Sequence, residues 1–459
     1  MTIRRLSVLL ASALAASACG GLSFWSPQPP QNPAACLPLS QVLAQAPATA
    51  RQPEAKAKEP GRPAGIPVGG KQATDRIMVR FRADVPADEV RLLLDRSGGE
   101  VIREVEPLRM RVVRVRPGGL EAALAAYRSA QAVAYAEPDV LVYLQREPND
   151  PLYRNQWHYR NIRLPEAWAC TTGSSGVVVA VIDDGITDHP DLRGVAVAGW
   201  DFVDGDANPT WPGCRSDPRV FSHGVHVAGT IAALTDNGMG VAGVNWGPGG
   251  ARVLPLRAFG PCPEDGGFLS DIVAALVYAA DRGARVINMS FGTPYFSEFL
   301  AAAVRYAYQR GAVLVAAAGN SYPAPIEYPA RFPEVIAVGA VNCRNESAYY
   351  SAEGPELEVV APGGSSATEC ELDGSPDGDL VVSTSTSLAQ GHGYFRAQGT
   401  SMAAPHVAGV VALLMGRGMG GVEAIRQRLR STAIDLGDAG RDDRFGWGLV
   451  NAQAAVGAR

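Results

Sequence analysis

The feature that most constrains the fold is a series of apolar segments that begins after Pro148. Segments such as VVVAVI, ARVLPL and VLVAAAGN have no polar face, and helix-like stretches such as DIVAALVYAADRGA separate them. Strands that are buried on both faces occur almost only in parallel sheets covered by helices on both sides. The sequence therefore predicts one large α/β domain over residues 148–459, with three layers and a mainly parallel sheet.

A second, smaller periodic region precedes this domain. Residues 74–147 alternate strand-like and helix-like segments, from IMVRF through PADEVRLLLDRSG and GLEAALAAYRSA to a last strand near Val133. The order βαββαβ predicts a small α+β domain. The alternating arginines of RMRVVRVR are typical of a solvated strand face. A net charge of −5 leaves no overall basic footprint, so we expect no nucleic-acid partner.

The first 73 residues carry signals for export rather than for a folded core. Two arginines precede an apolar run from Leu6 to Ala18, and small residues end that run, which predicts a signal peptide over residues 1–18. The run is 13 residues long, whereas a membrane span needs about 20, so we expect no transmembrane anchor. Residues 19–73 are rich in Pro, Ala and Gln and are predicted to form a linker.

The residue that follows the signal peptide leaves two outcomes open. Cys19 directly follows Ala18 and precedes a glycine, an arrangement similar to a bacterial lipobox, although Ala16 stands where such boxes usually have Leu. A lipid on Cys19 would hold the protein in the periplasm or at the envelope. Ordinary cleavage after Ala18 would instead give a secreted, extracellular protein.

Three polar residues stand where α/β proteins gather functional groups. Asp183 ends the strand of VAVIDDGI, His223 opens HGVHVAGTIAAL, and Ser401 begins a predicted helix in GTSMAAPHVAG. Functional groups collect beyond the carboxyl ends of parallel strands. An imidazole can act as a general base near neutral pH, and the start of a helix favours developing negative charge. The three residues therefore suit nucleophilic catalysis.

Together these motifs resemble the three signature motifs of the subtilisin-like serine proteases, the subtilases, of the thermitase-like bacterial extracellular type. The order Asp, His, Ser is also that of subtilisin. The resemblance implies a serine endopeptidase that hydrolyses peptide bonds through an acyl-enzyme. Ser401 would be the nucleophile, His223 the base, and Asp183 the carboxylate that orients His223. No cofactor is implied for catalysis.

The resemblance extends to VLVAAAGN, whose Asn320 matches the family's side-chain donor to the tetrahedral oxyanion. Two residues depart from the family pattern. Val225 stands where Thr is usual, and Asp184 stands where Ser or Thr is common. Neither replaces a reacting group, and we expect Asp184 to face solvent or substrate.

The small domain over residues 74–147 resembles a subtilisin-type propeptide. The resemblance implies a zymogen that processes itself and whose own propeptide acts as an intramolecular inhibitor. The junction between AYAEPDV and EPNDPLY predicts cleavage between about Val142 and Pro148.

The resemblance also predicts where protein or peptide substrates bind. Ser290 and Gly292 in NMSFG would flank an extended substrate and pair with its backbone. Glu327 aligns with a residue at the floor of the main specificity pocket, where a carboxylate favours Lys or Arg before the cut. The alternative is that Glu327 points to solvent.

Two acidic segments are candidate sites for structural calcium. Asp201, Asp204 and Asp206 lie close together in WDFVDGDANPT, and closely spaced oxygen donors suit Ca²⁺. This stretch resembles a calcium loop of thermitase-like subtilases. Asp191, with Asp150 and the loop TDNGMG, resembles parts of a second site. A solvated acidic turn is the alternative at each.

Seven cysteines in an exported protein favour disulfide bonds. We expect Cys214 to pair with Cys262 at the rim of the cleft and Cys343 to pair with Cys370, which leaves Cys170 free.

The competing function is a catalytically silent, subtilase-fold lipoprotein that binds at the envelope. Such a protein would normally have lost a reacting residue, and all four are present here.

Overall fold

The computed structural model describes residues 72–140, 147–367 and 379–457, apart from positions 84, 98 and 117. The predicted signal peptide, Cys19 and nearly all of the predicted linker lie outside these residues. None of the helices within the described residues is long and apolar enough to cross a membrane.

The small domain has a four-stranded antiparallel sheet in the order β2-β3-β1-β4. Its second helix buries four side chains at helical spacing, from Leu120 to Tyr127, against strand residues such as Ile77 and Val113. The predicted order βαββαβ is confirmed. The elements are β1 Gln72–Phe81, α1 Ala87–Ser97, β2 Glu100–Val105, a 3-10 turn Glu106–Leu108, β3 Met110–Arg114, α2 Leu120–Ser129 and β4 Val133–Val140.

The large domain is built on a seven-stranded sheet in the order β11-β10-β9-β8-β5-β7-β6, and every strand pair in it is parallel. Every residue of its strands β8 to β11 is buried, as the apolar segments predicted. A two-stranded antiparallel hairpin, β12-β13, lies apart from this sheet. The strands are β5 Val178–Asp183, β6 Trp200–Asp201, β7 Arg252–Arg257, β8 Val286–Met289, β9 Val313–Ala317, β10 Val335–Val341, β11 Leu357–Pro362, β12 Val381–Ser387 and β13 Gly391–Ala397.

Helices cover this sheet in two packed pairs, α5 with α8 and α6 with α7. Helix α8 is buried at every position from Met402 to Met415, because it packs on several strands and on α5. The helices are α3 Trp157–Asn161, α4 Leu164–Trp168, α5 His223–Ala232, α6 Leu269–Asp281, α7 Glu298–Gln309, α8 Thr400–Gly416, α9 Val422–Thr432 and α10 Ala452–Val456, with 3-10 turns at Tyr153–Asn155 and Pro190–Leu192.

Strand register decides which chain segments meet at one edge of the sheet. Ile182 of β5 lies opposite Met289 of β8, which in turn lies opposite Ala316 of β9. The carboxyl ends of the three central strands are therefore level. Asp183 at the end of β5 and Ser290 directly after β8 lie at this common edge.

The cysteine predictions have mixed outcomes. A disulfide joins Cys214 to Cys262, as expected. Cys170 is also disulfide-bonded, so the expectation that it is free is wrong. That expectation counted only the five cysteines from Cys170 onward, whereas the chain has seven. Cys343 is disulfide-bonded, but Cys370 lies outside the described residues, and their pairing stays a prediction.

Candidate active site

Asp183 and His223 are in direct contact at the carboxyl edge of the sheet. Nδ1 of His223 lies 2.9 Å from one carboxylate oxygen of Asp183 and 3.0 Å from the other. The Asp183 side chain is 6% exposed, whereas that of His223 is 35% exposed. The buried carboxylate favours a proton on Nδ1, which leaves Nε2 as the basic atom of the ring.

The surrounding charges make His223 a stronger base than an ordinary histidine. Burial opposes a charge on the ring, but the hydrogen bond and charge of Asp183, together with the charge of Asp184, raise the pKa of His223 to about 9. The ring accepts a proton only when it is neutral. The site is therefore suited to proton transfer at alkaline pH.

Ser401, the second residue of α8, is held against Ser290 by two reciprocal hydrogen bonds. Ser401 Oγ donates to the carbonyl of Ser290, and Ser290 Oγ donates to the carbonyl of Ser401, both at 2.9 Å. In a regular helix the Ser401 carbonyl would accept from residue 405, but Pro405 has no N–H. Ser290 supplies the missing donor, so the proline and the serine together fix the start of α8.

The hydrogen bonds between Ser401 and Ser290 connect Ser401 to the cavity beside His223. The cavity has a volume of about 210 Å³, and Asp183, His223 and Ser290 all line it. The Ser401 hydroxyl donates to the carbonyl of Ser290, whereas a hydroxyl activated by His223 would donate to Nε2 of that ring. Such contacts often form only when substrate is bound.

Asn320 is oriented by Thr400, the first residue of α8. Its Oδ1 accepts from both the backbone N–H and the hydroxyl of Thr400, each at 2.9 Å. Because both partners of Oδ1 are donors, Nδ2 is the atom of the amide left to donate elsewhere. The backbone N–H of Ser401 belongs to the first turn of α8, where N–H groups lack an intrahelical acceptor. An amide and a backbone donor can therefore serve one oxyanion.

Comparison with known proteins identifies the family. A sequence model described as the subtilase family matches residues 174–448, well over half of the chain. The chain belongs to the subtilase family. A second model, the fervidolysin N-terminal prodomain, matches residues 63–139 and covers most of the small domain. The protein is thus a serine peptidase with a subtilase prodomain.

Individual relatives agree with this assignment. The chain is 37% identical to a thermophilic serine proteinase of Bacillus sp. (strain AK1), over 84% of this chain and 88% of the relative. It is 35% identical to thermitase of Thermoactinomyces vulgaris, over 67% of this chain and 99% of thermitase. The crystal structure of fervidolysin from Fervidobacterium pennivorans, a keratinolytic enzyme, matches with a TM-score of 0.56 and 27% identity, over 86% of this chain and 62% of that one.

A second cavity extends the cleft of this subtilase beyond the first. Its volume is about 420 Å³, and it shares Phe259, Gly266 and Phe291 with the cavity beside His223. Gly292, a predicted substrate-binding residue, also lines it. The two cavities therefore adjoin each other at these three residues.

Glu327 packs against the backbone of Gly292 and Gly319, which follow the carboxyl ends of β8 and β9. A Cβ added to Gly292 would lie 2.1 Å from Oε2 of Glu327, and one added to Gly319 would lie 3.0 Å from its Cδ. The side chain is half-buried, and burial raises the pKa of its carboxyl group. Only glycine leaves space for Glu327 here, and since Gly292 lines the second cavity, the carboxylate lies next to a residue of the cleft.

Asp184 differs from the sequence expectation, which had it facing solvent or substrate. Its side chain is buried, and both carboxylate oxygens accept hydrogen bonds from the start of α5. Asp184 lines the cavity beside His223, but it does not face solvent, because β5 ends directly beside the first turn of that helix. A carboxylate placed there meets unpaired backbone N–H groups.

The first predicted calcium segment is engaged by an arginine that sequence reasoning missed. Arg257, the last residue of β7, is buried and donates to Asp201 and to Asp204 at 2.6 Å each. Asp206 is exposed and accepts from the backbone of Asn208. The pairing of β6 with β7, which sets Asp201 opposite Arg257, is long-range and leaves no local signal.

The second predicted segment holds two buried carboxylates without a basic partner. Asp191 accepts from Asn237 Nδ2 at 2.7 Å and from the backbone of Val241 at 3.1 Å, and Asp150 accepts from the backbone of Asp236 at 2.7 Å. Burial raises the pKa of Asp191 to about 6 and also raises that of Asp150. Among the described residues, neither carboxylate forms a salt bridge. Two buried acids of this kind fit a hard cation.

Proposed function

We propose that this subtilase is an exported serine endopeptidase that cuts peptide bonds through an acyl-enzyme and processes its own proenzyme. The observation that carries the proposal is the contact between Asp183 and His223 beside a cavity that is also lined by Ser290, the residue to which Ser401 is hydrogen-bonded. Asn320 is the side-chain donor to the oxyanion. These four residues match the subtilase motifs in type and in order.

The reaction follows from the roles of these groups. Ser401 Oγ attacks the carbonyl carbon of the scissile bond while Nε2 of His223 takes the hydroxyl proton. The carbonyl oxygen becomes an oxyanion, which Asn320 and the Ser401 backbone N–H stabilise. The intermediate expels the amine, which takes the proton from His223. Water then releases the acyl group by the same steps, and Asp183 stabilises the imidazolium each time.

A fluorophosphonate probe tests the catalytic proposal. The processed enzyme is expected to be labelled on Ser401 and to digest a complex peptide mixture, whereas Ser401→Ala gives neither result. An unlabelled but folded wild-type enzyme, with the same melting temperature as Ser401→Ala, would contradict the proposal. That outcome would favour a binding protein instead.

Self-processing is supported by the match to a subtilase prodomain and by the segment that follows β4. The wild-type proenzyme is expected to be cut between about Val142 and Pro148, which separates the two domains. Ser401→Ala protein, purified alone, is expected to stay intact until active enzyme is added. Cutting of isolated Ser401→Ala at this segment would overturn the proposal.

Export is supported by the signal peptide pattern and by relatives named as extracellular proteases, for example that of Xanthomonas campestris pv. campestris. Cell fractionation should place the processed enzyme in the medium. Mass spectrometry of the amino-terminal fragment decides between an unmodified Cys19 and a lipid-bearing one. Retention of the mature enzyme on cells would contradict secretion.

Glu327 supports a preference for Lys or Arg before the cut. Its carboxylate lies against Gly292 and Gly319 at the wall of the cleft, where a basic side chain could form an ion pair with it. A peptide library is expected to show this preference in wild type and to lose it in Glu327→Ala. A preference for large apolar residues, unchanged by that substitution, would reject the proposal.

Structural calcium is the last part of the proposal. Asp191 and Asp150 would hold the ion, which would balance two buried negative charges and so stabilise the fold without entering the reaction. Asp201, Asp204 and Asp206 stay predicted calcium residues as well, although Arg257 already balances charge there.

A further inference from the structure

Asp184 is a buried carboxylate next to the reacting groups that the proposed mechanism does not use. It lies between Asp183 and Gly185 at the end of β5, and its side chain is buried. One oxygen accepts from the backbone N–H of Gly224 at 2.7 Å and from Ser222 Oγ at 2.9 Å. The other accepts from the backbone N–H of His223 at 2.8 Å. All these contacts lie at the start of α5.

These hydrogen bonds satisfy the first turn of the helix that carries His223. The first N–H groups of a helix have no intrahelical acceptor. Asp184 accepts from the first two residues of α5, and Ser222 Oγ accepts from the third, Val225, at 3.2 Å. Two side chains from different segments thus cap α5 as one unit. Removal of Asp184 would leave two donors of this turn unpaired.

The start of α5 also lies close against the residues at the end of β5. A Cβ added to Gly224 would lie 2.3 Å from the carbonyl oxygen of Gly185, 2.9 Å from Oδ1 of Asp184 and 3.1 Å from Cβ of Asp183. Glycine at the second position of α5 is therefore required for this helix start to approach β5. Since His223 precedes that glycine, the same approach sets the distance between His223 and Asp183.

We propose that Asp184 is a positioning residue, which fixes the first turn of α5 against β5 and whose charge stabilises the imidazolium form of His223 during the reaction. This inference rests on the proposed catalytic function. A helix start carries partial positive charge, which opposes a positive ring on its first residue. The carboxylate of Asp184 offsets that charge. Asp184 lines the cavity beside His223, but its oxygens accept hydrogen bonds from Ser222, His223 and Gly224, so we expect it to act through His223.

The electrostatic surroundings of His223 agree with this role. The titratable groups that act on its ring are Asp183, Asp184 and His226 on the same helix. Burial lowers the pKa of His226 to about 3, so His226 is neutral and adds no charge. Burial and the nearby Asp183 raise the pKa of Asp184 to about 7. At alkaline pH the Asp184 carboxylate is ionised and favours the protonated ring.

The test compares Asp184→Asn and Asp184→Ser with wild type in processed, active-site-titrated enzyme. Asp184→Asn removes the charge, and Asp184→Ser introduces a residue type common at this position in subtilases. In both, the acidic limb of kcat/KM against pH is expected to move down by about one pH unit. At the alkaline plateau, kcat is expected to fall by about three-fold to ten-fold with KM little changed. The matched control is Asp188→Asn, which removes an exposed carboxylate four residues further on.

The pH profile separates this role from a purely structural one. A structural cap would lower the melting temperature and the fraction of titratable sites, but it would leave the acidic limb where it is in wild type. If both Asp184 variants keep the wild-type limb, the inference is wrong even though the enzyme is a protease. If wild type itself is not labelled by a fluorophosphonate, the proposed function fails instead.

Discussion

The cleft edge and the acidic loops of this subtilase both gather carboxylates, but different groups balance the charge in each. At the cleft edge Asp183 contacts an imidazole and Asp184 contacts backbone N–H groups. In the loops, Asp201 contacts the buried guanidinium of Arg257, whereas Asp191 accepts hydrogen bonds from uncharged donors: an amide, a backbone N–H and the hydroxyl of Tyr394. A buried aspartate in this protein therefore takes its role from the donor beside it.

If the donor decides the role, the two neighbouring aspartates of the cleft should respond very differently to the same change. Asp183→Asn is expected to lower kcat by about 10⁴-fold, because the imidazole loses both its tautomer and its counter-charge. Steady-state and single-turnover assays on folded protein measure this loss in kcat. A similar loss in Asp184→Asn, with little loss in Asp183→Asn, would reverse the assignment.

Asn320 is an uncharged residue at the same edge of the cleft, so its substitution should act differently from that of either aspartate. Asn320→Ala removes the proposed oxyanion donor without changing any charge, and kcat is expected to fall by about 10²- to 10³-fold with KM little affected. The acidic limb of the pH profile should stay in place, unlike that of Asp184→Asn. A loss below about threefold would remove Asn320 from the site.

In the first acidic loop, the expected effect is on stability. Arg257→Leu leaves Asp201 buried without its partner, which is expected to cost about 3–5 kcal/mol in the free energy of unfolding. The double variant Arg257→Leu/Asp201→Asn should recover much of that loss, since it also removes the unpaired charge. Denaturant unfolding of the Ser401→Ala background avoids self-digestion. Equal instability of the single and double variants would show that the ion pair is not the cause.

The second loop should differ from the first in its response to chelation. The pKa of Asp191 is raised to about 6, so its ionisation destabilises the fold as pH rises through that value. Calcium would offset this cost only where the group is charged. EDTA should therefore lower the melting temperature at pH 8 much more than at pH 5, and Asp191→Asn should abolish the effect. Asp206→Asn is the matched control, and loss of the effect in that variant instead would move the site to the first loop.

Local patterns allowed much of this protein to be predicted. Runs of apolar residues predicted the buried strands, helical spacing predicted the βαββαβ domain, and three long motifs predicted the catalytic residues and the family. These features depend on neighbours in sequence, so each is visible within a short window. Glu327 and the disulfide between Cys214 and Cys262 were also within reach, because motifs indicated that their segments border the cleft.

The remaining features depend on contacts between segments far apart in the chain. Pairing of β6 with β7 set Arg257 against Asp201, and the approach of α5 to β5 buried Asp184. Pro405 left the carbonyl of Ser401 without a helical donor, and Ser290, more than a hundred residues earlier, donates to it instead. The sequence by itself determined which residue types were available at the strand ends and helix starts. Tertiary structure alone decided which donor each buried oxygen met, because a hydrogen bond depends on distance in space and not on separation along the chain.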